Sequence, residues 1–470
     1  MVGEGAREHA IAEALAGAED RVYVLASYRN PGLANVAEHT GGQLILGSIT
    51  SQSKVKEILR GTNPDIVVIG PEDPLFSGVS NTVKEEGIPV IGPSQRCAMI
   101  EGSKVWMREL MWKYKIPGRL RYRKFDSLSE AASFVRTIQG SIVVKPAEQV
   151  GGKGVKVITD LQAYLSDDKK TSVSSSLEEV SSVVKGKEKI LVEEKVEGPE
   201  YTLHALSDGS STIFLPLAQD YKNAFDYGVG PETGGMGSIS GPNDGLPFID
   251  SSELEASKEI VKSSLRSVEL EAHERYVGFM GGQMMLTPIW GPTVIEFYSR
   301  MGDPETAAIV PRVHNFGDLL HLAAFGSLGK AKPEISQLPT VVKVLAPRGY
   351  PISRAMSTGH KIELDLRAIQ EIGCRVYFGS ISLEGGQLIT QGSRTLEIVA
   401  EGDFVDASMR IERCISMVKS DYPLFHRSDV GLTIPEQERL ATISRRIYKF
   451  KSSNGTLGSL SEFIPQGDNW

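Results

Sequence analysis

The order of apolar and polar positions predicts an α/β protein. In the first hundred residues short β-branched runs at 21–25, 66–69 and 89–91 alternate with stretches patterned as helix. That alternation predicts a parallel sheet with crossover helices, whose ligands bind beyond the C-terminal ends of the strands. Val2-Gly3-Glu4-Gly5-Ala6-Arg7-Glu8-His9 takes the place of a first strand-to-helix turn, with Ile11, Ala14 and Leu15 as the apolar stripe behind it. Because the chain opens at Met1-Val2, the central strand ahead of this turn is expected to be missing. Asn30-Pro31-Gly32, Gly70-Pro71-Glu72-Asp73-Pro74-Leu75 and Gly92-Pro93-Ser94 set further polar groups at the same edge. Each reads either as part of a phosphate or carboxylate site or as an ordinary turn.

From about Glu101 the pattern changes. Glu101-Gly102-Ser103-Lys104 opens a helix through Trp106, Leu110 and Met111, with Ser103 as its N-cap. A buried-looking strand at 142–146 ends in Lys145-Pro146 and leads to Gly151-Gly152-Lys153-Gly154-Val155. That loop reads as a cover for a polyphosphate or as a glycine hairpin with solvated lysines, and it is not a Walker P-loop. Residues 167–187, rich in Ser, Lys, Asp and Glu, form a surface excursion. A strand at 189–194 and another at 202–206 flank Glu197-Gly198-Pro199-Glu200. Gln219-Asp220-Tyr221-Lys222-Asn223 and Gly230-Pro231-Glu232-Thr233-Gly234-Gly235-Met236-Gly237 make one long polar loop of the kind used as a lid.

Residues 295–305 concentrate charge. Glu296 lies in the β-branched and aromatic strand 293–297, so its carboxylate faces a core or a site, and Arg300 follows within a few residues. Asp303-Pro304-Glu305 also has the form of a helix start, with Asp303 as N-cap. Capping accounts for Asp303 and Glu305, but for neither Glu296 nor Arg300.

Composition narrows the class. At 470 residues the chain holds two to four domains, at roughly 100–200 residues each. A net charge of −8 spread along the chain argues against a nucleic-acid binder. The GxGxxE turn has no acidic residue after the second strand, which excludes a nicotinamide dehydrogenase. Three cysteines without metal spacing fit a reducing cytoplasm. No apolar run approaches the roughly 20 residues of a membrane span.

Taken in order, Gly5 to His9, Gly70-Pro71-Glu72, Glu101-Gly102-Ser103-Lys104, Gly152-Lys153-Gly154-Val155, Gln219-Asp220-Tyr221-Lys222, Thr233-Gly234-Gly235-Met236-Gly237 and Gly302-Asp303-Pro304-Glu305 resemble the phosphoribosylamine-glycine ligase family of the ATP-grasp superfamily. The likeness runs through about Leu432, more loosely at Gly349-Tyr350-Pro351, Gly385-Gly386 and Thr390-Gln391-Gly392-Ser393-Arg394. It implies a pre-ATP-grasp parallel-sheet domain over 1–95, and a two-part ATP-grasp core over 96–325 with its lid at about 120–195. A small α+β domain at 326–434 and a tail extension at 435–470, charged near 447–451, complete the expected layout.

The implied reaction joins glycine to 5-phosphoribosylamine in purine synthesis, with ATP and Mg2+ or Mn2+, in a cytoplasmic monomer without nucleic-acid or membrane partners. By the resemblance, Lys104, Lys145, Gly151, Gly152, Lys153, Gly154, Glu193, Glu194, Val196 and Glu200 hold the nucleotide. Gly5, Arg7, Glu8, His9, Gly70, Pro71, Glu72, Gly234, Gly235, Met236 and Gly237 line the substrate side, while Arg300, Asp303, Asp220 and Lys222 are catalytic. Glu296 is the implied metal ligand. Tyr298 stands where the family commonly has Asn, and Gln283 offers a carbonyl oxygen as the alternative second ligand. Glu4, Ala6, Glu148, Asn223, Glu232 and the turn Phe378-Gly379-Ser380-Ile381 depart from the family as well, several of them toward acidity. Two other readings stay open: a paralogue that binds nucleotide or ribosyl phosphate without turnover, and an ATP-grasp ligase of another substrate.

Overall fold

The computed structural model describes residues 1–135, 142–146, 156–158 and 190–455. The N-terminal strands are β1 (Tyr23–Ala26), β2 (Gln43–Leu46), β3 (Val67–Val68) and β4 (Val90–Ile91), with β1 parallel to β2 and β3 parallel to β4. Val2 lies between the two pairs, bridged in parallel to Leu25 and to Ile69. Its neighbours continue the ladder: Gly3 N donates to Leu25 O at 3.0 Å and Gly70 N to Val2 O at 2.9 Å. The strand position expected to be missing is thus held by residues 1–3, a stub that joins both halves into one parallel surface. It delivers the chain directly into the helix Ala6–Gly17.

Next comes a four-stranded antiparallel sheet of β5 (Tyr122–Phe125), β6 (Ile142–Pro146), β7 (Lys156–Ile158) and β8 (Ile190–Glu194), in the order β5-β8-β6-β7. The chain continues through β9 (Glu200–Asp208), β10 (Thr212–Phe214), β11 (Ala218–Asp220), β12 (Asn223–Phe225), β13 (Val229–Glu232), β14 (Gly237–Ser240), β15 (Val277–Thr287) and β16 (Gly291–Tyr298). Then follow β17 (Thr340–Pro351), β18 (Thr358–Glu363), β19 (Cys374–Phe378), β20 (Ile381–Glu384), β21 (Gln387–Gln391), β22 (Leu396–Glu401), β23 (Lys419–Ser420) and β24 (Leu424–Phe425). One sheet runs β16-β15-β9-β11-β14-β17-β22-β19, with β10 on β9 and β24 on β17, so the C-terminal strands extend the central sheet. A smaller sheet, β20-β21-β18-β23, lies beyond it.

Several local expectations change. The long polar loop contains an antiparallel hairpin, β12 with β13, whose tip residue Tyr227 is exposed. Asp303 does not cap: the helix Glu305–Ile309 begins after Pro304 without a side-chain cap, because the Asp303 carboxylate is bound to Arg394 instead. Residues expected as a charged tail form the helix Ile434–Ser453, whose Arg445 pairs with Glu253 at 2.6 Å. Ser103 caps the helix Lys104–Lys113 as its sequence suggests, accepting from Trp106 N at 3.2 Å.

The N-terminal domain is locked onto the rest by apolar packing and by one amide. Ile11 and Leu33 share a buried cluster with Phe279, Phe316 and Leu319. Asn30, fully buried, accepts from Gly32 N and Leu33 N at the start of its helix, and its Nδ2 faces the carbonyls of Glu4, Phe378 and Gly379 at 2.9, 2.7 and 3.1 Å. A turn residue therefore also ties the first domain to the last. Asn30→Ala removes a cap and strands buried carbonyls, an expected loss of about 2 kcal/mol; chemical denaturation followed by circular dichroism measures it.

Candidate active site

The cleft lies where the ends of β8, β11 and β16 meet the helix Lys104–Lys113. Glu193, at the end of β8, is buried between Arg108 Nε at 2.5 Å and Lys145 Nζ at 2.9 Å. Burial alone would raise its carboxyl; Arg108 and Lys145 outweigh that and hold it at about 2. Arg108 also donates to Val294 O at 3.0 Å and Ile295 O at 2.8 Å, so one guanidinium joins β8 to β16. Glu194 accepts from Arg121 N at 2.8 Å and Trp290 Nε1 at 3.0 Å, a structural use of its carboxylate. Val196 is buried just beyond.

Cations and carboxylates then interleave. Burial pushes the Glu296 carboxyl up, but Lys104, Lys222, Lys145 and the Tyr298 hydroxyl together keep it below its ordinary range. Burial lowers the Lys104 ammonium, with Glu296 opposing. Lys222 reaches Glu200 Oε2 at 3.2 Å; its pKa is raised, burial being outweighed by Glu200, Asp220, Glu296 and Glu232. Asp220 is pushed up to about 8 by burial, against Lys222 and with Glu305, Glu200 and Glu296.

Tyr298 ties Glu296 to Gln283. Its hydroxyl donates to Gln283 Oε1 and lies 3.1 Å from Glu296 Oε1, while Gln283 Nε2 donates to Glu200 Oε2 at 2.8 Å. Gln283, raised as an alternative metal ligand, has its carbonyl oxygen occupied by a phenol and turns its amide toward Glu200. Among the described residues no group of three or more His, Cys, Asp or Glu is arranged to hold a metal. The carboxylate that Lys104, Lys222 and Lys145 keep ionised there is Glu296. That fits an ion such as Mg2+, which takes one or two carboxylates and fills its other positions with phosphate and water. Glycine is needed beside these rings: a Cβ at Gly281 would meet His204 at 2.9 Å and Tyr298 at 3.1 Å.

Arg300 sits against the Tyr298 ring, 4.6 Å from its centroid, and is held by Glu72 Oε2 at 3.1 Å and Glu101 Oε1 at 3.0 Å. Glu101 also accepts from Ser299 N and Oγ, both at 2.7 Å. Burial raises Glu72, yet Arg300 and Arg7 bring it to about 2. Below this cluster His204 accepts from Gly302 N at 2.9 Å, and burial followed by Arg300 lowers it to about 3, so it stays neutral.

The N-terminal turn differs most from expectation. The amides of Glu4 and Gly5 donate to Glu8 Oε2 at 3.2 and 2.6 Å, so the carboxylate of Glu8 occupies the donors expected for a phosphate. Gly70 is forced by it, since a Cβ there would lie 2.2 Å from Glu8 Oε1. Arg7 is buried between Glu8 and the Met301 carbonyl. His9, placed with the substrate side by resemblance, is instead packing: its Nδ1 accepts from Phe378 N at 3.1 Å between the Tyr377 and Phe378 rings. Glu4 accepts from Ser27 N at 2.6 Å and from Ser27 Oγ at 2.5 Å. Pro71 opens the short helix Glu72–Phe76 and so presents Glu72 to Arg300.

Gly234 and Gly235 lie under Arg394, which donates to Gly234 O and Asp303 O, each at 2.6 Å. Met236 is buried and Gly237 starts β14. Gly151, Gly152, Lys153, Gly154 and Glu148 lie outside the described residues. Arg108, Glu101, Arg394 and Glu397 are the groups that sequence reasoning did not single out as site residues. For Arg108 a signal existed, four positions after Lys104 on the same helix face.

The profile described as phosphoribosylglycinamide synthetase, ATP-grasp (A) domain, matches residues 102–306, which defines the class. The profiles for the N domain and C domain of the same synthetase match residues 1–101 and 340–433. A phosphoribosylamine--glycine ligase of Methanopyrus kandleri is 40% identical over 462 residues, covering 97% of this chain and 99% of the relative. The chain belongs to the phosphoribosylglycinamide synthetase family. The crystal structure of a phosphoribosylamine--glycine ligase from Thermotoga maritima matches with a TM-score of 0.73 at 26% identity, over 91% of this chain and 98% of that one. The biotin carboxylase domain of Hydrogenobacter thermophilus 2-oxoglutarate carboxylase, solved with MgADP, shares the fold at a TM-score of 0.66 and 13% identity, over 99% and 98% of the two chains.

Two outcomes are expected. Arg108→Leu leaves Glu193 with Lys145 as its remaining cation and costs about 3 kcal/mol in urea unfolding. The low pKa of Glu193 contributes stability that is complete above its ordinary value of 4.5 and is lost as pH falls through about 2. Glu193→Gln should therefore give a flatter stability curve between pH 4.5 and 2, read by denaturation at fixed pH values.

Proposed function

We propose that this chain ligates glycine to 5-phosphoribosylamine, splitting ATP to ADP and phosphate, as a step of purine synthesis. The observation that carries the reading is the convergence of Lys104, Lys145 and Lys222 on Glu296, in a chain that matches a ligase of that name over nearly its whole length. An oxygen of the glycine carboxylate attacks the γ-phosphorus and ADP leaves; the ribosylamine nitrogen then attacks the acyl carbon, phosphate leaves, and the nitrogen gives up a proton. Neither step needs a nucleophile from the protein. Charge neutralisation and in-line placement are what it must supply.

Lys104 and Lys145 neutralise the nucleotide phosphates, with adenine beside residues 193–196 and Glu200 at the ribose. Glu296 would hold Mg2+ or Mn2+, which supplies further neutralisation of the transferring phosphoryl group when bound. Asp220, Lys222, Asp303 and residues 234–237 line the glycine and ribosylamine side. Arg300, paired with Glu72 and Glu101, stands beside them and holds the end of β16. Glu72 serves that arginine. The Glu8-filled turn leaves the phosphate of phosphoribosylamine to neighbouring groups rather than to the helix N-terminus. We place the protein in the cytoplasm as a monomer acting on small molecules; its described cysteines are free and buried, and no described helix is long and apolar enough to cross a membrane.

The test is ADP release by the full chain with Mg2+. Release that requires both glycine and phosphoribosylamine is expected; release with a different amine, or nucleotide binding without release, would point to one of the other two readings. Lys145→Ala should lower kcat about a hundredfold, while Glu296→Gln should raise the Mg2+ concentration needed for half-maximal rate.

A further inference from the structure

The C-terminal domain reaches the cleft through Arg394 and Glu397, which stand against Asp303. Arg394 Nη2 donates to Asp303 Oδ2 at 2.6 Å, and its Nη1 clamps the carbonyls of Gly234 and Asp303. The Tyr350 hydroxyl, from β17, accepts from Gly234 N at 2.9 Å. Glu397 lies in β22, opposite Val344 of β17 and Tyr377 of β19, and is 1% exposed. Asp303 Oδ1 and Glu397 Oε2 are both buried, and neither has a hydrogen-bond partner among the described groups. Each carboxyl group lies in the other's field. Two buried carboxyl groups side by side can satisfy each other when one of them keeps its proton.

The surroundings say which one. Asp303 faces Arg394, Arg7 and Arg300, whose charges outweigh its burial, and the Tyr28 hydroxyl lies within its field. Glu397 faces Asp303 and Glu305 as like charges, with Arg394 as the opposing cation, and that arginine is already bound to Asp303. We propose that Glu397 is a positioning residue, a neutral carboxylic acid that donates to Asp303 Oδ1 while Arg394 holds Oδ2, so that the C-terminal domain orients the carboxylate on the ribosylamine side of the cleft. What Asp303 faces rests on the functional reading above; the proton on Glu397 does not. The arrangement fixes both oxygens of Asp303 without adding a second negative charge. It also makes the turn at residues 234–235 depend on the C-terminal domain, since Arg394 spans both.

The experiment compares the full chain with Glu397→Gln and Glu397→Ala. The amide in Glu397→Gln offers an N–H where the acid has its O–H. Glu397→Ala should lower kcat/KM for phosphoribosylamine about tenfold, and Glu397→Gln should recover most of that loss. On the alkaline side, wild-type activity should fall as Glu397 loses its proton, whereas Glu397→Gln should keep its rate. Infrared spectra of the ligand-free protein should show a protonated-carboxyl C=O band that is absent from Glu397→Gln, a readout that needs neither turnover nor the alanine variant to fold. Equal losses in both variants, an unchanged kcat/KM in Glu397→Ala, or no carboxyl band removed by Glu397→Gln would each overturn the assignment. A wild-type chain that releases no ADP with both substrates defeats the functional reading alone, and the infrared arm still decides the proton.

Discussion

Arg300 is shared by Glu72 of the N-terminal domain, Glu101 at the start of the next segment and the face of Tyr298 in β16. Taking each of these ions out of water costs several kcal/mol, and only mutual pairing with further hydrogen bonds offsets it. Three stretches of chain far apart in sequence are therefore held to one geometry. Glu101 extends the constraint by accepting from Ser299 N and Oγ, which fixes the end of β16 where Glu296 projects. His204, neutral beneath the Gly302 amide, adds no competing charge. Much of the cleft is arranged around what this arginine requires.

The same logic runs through the cluster around Glu193. Arg108 and Lys145 both pair with it, so the protein itself holds Lys145 in place. Preorganised cations lose little on binding an anion, because the protein has already met the cost of holding them. Tyr298, at a position where the family commonly has Asn, does not leave the site short of a partner. Its hydroxyl ties Gln283 and Glu296 together, and Gln283 passes the link to Glu200 and Lys222. A chain of hydrogen bonds ending in one ion pair thus runs from Glu296 to Lys222.

What could be read along the chain were features with local causes. The β-branched run at 293–297 falls within β16, and Ser103 caps its helix, because strand and cap preferences depend on a few adjacent residues. Lys104, Lys145 and Glu296 stood out because charge in an apolar stretch needs a reason. The hairpin of β12 and β13 looks like loop in the sequence because its glycines and proline resemble punctuation, whereas cross-strand pairing decides it.

The sequence by itself determined the α/β order, the family and the charged residues that converge on Glu296, since these follow from periodicity and from short motifs. Only the tertiary structure decided how each charge is spent. Glu8 fills the turn that looked ready for phosphate, His9 packs against the last domain, Arg108 holds Glu193, and Glu397 meets Asp303. The reason is desolvation: whether a charge is paired, neutral or facing the cleft depends on what the fold brings within about 3 Å of it, and, apart from Glu8, whose donors are its near neighbours, those partners lie tens to hundreds of residues away along the chain.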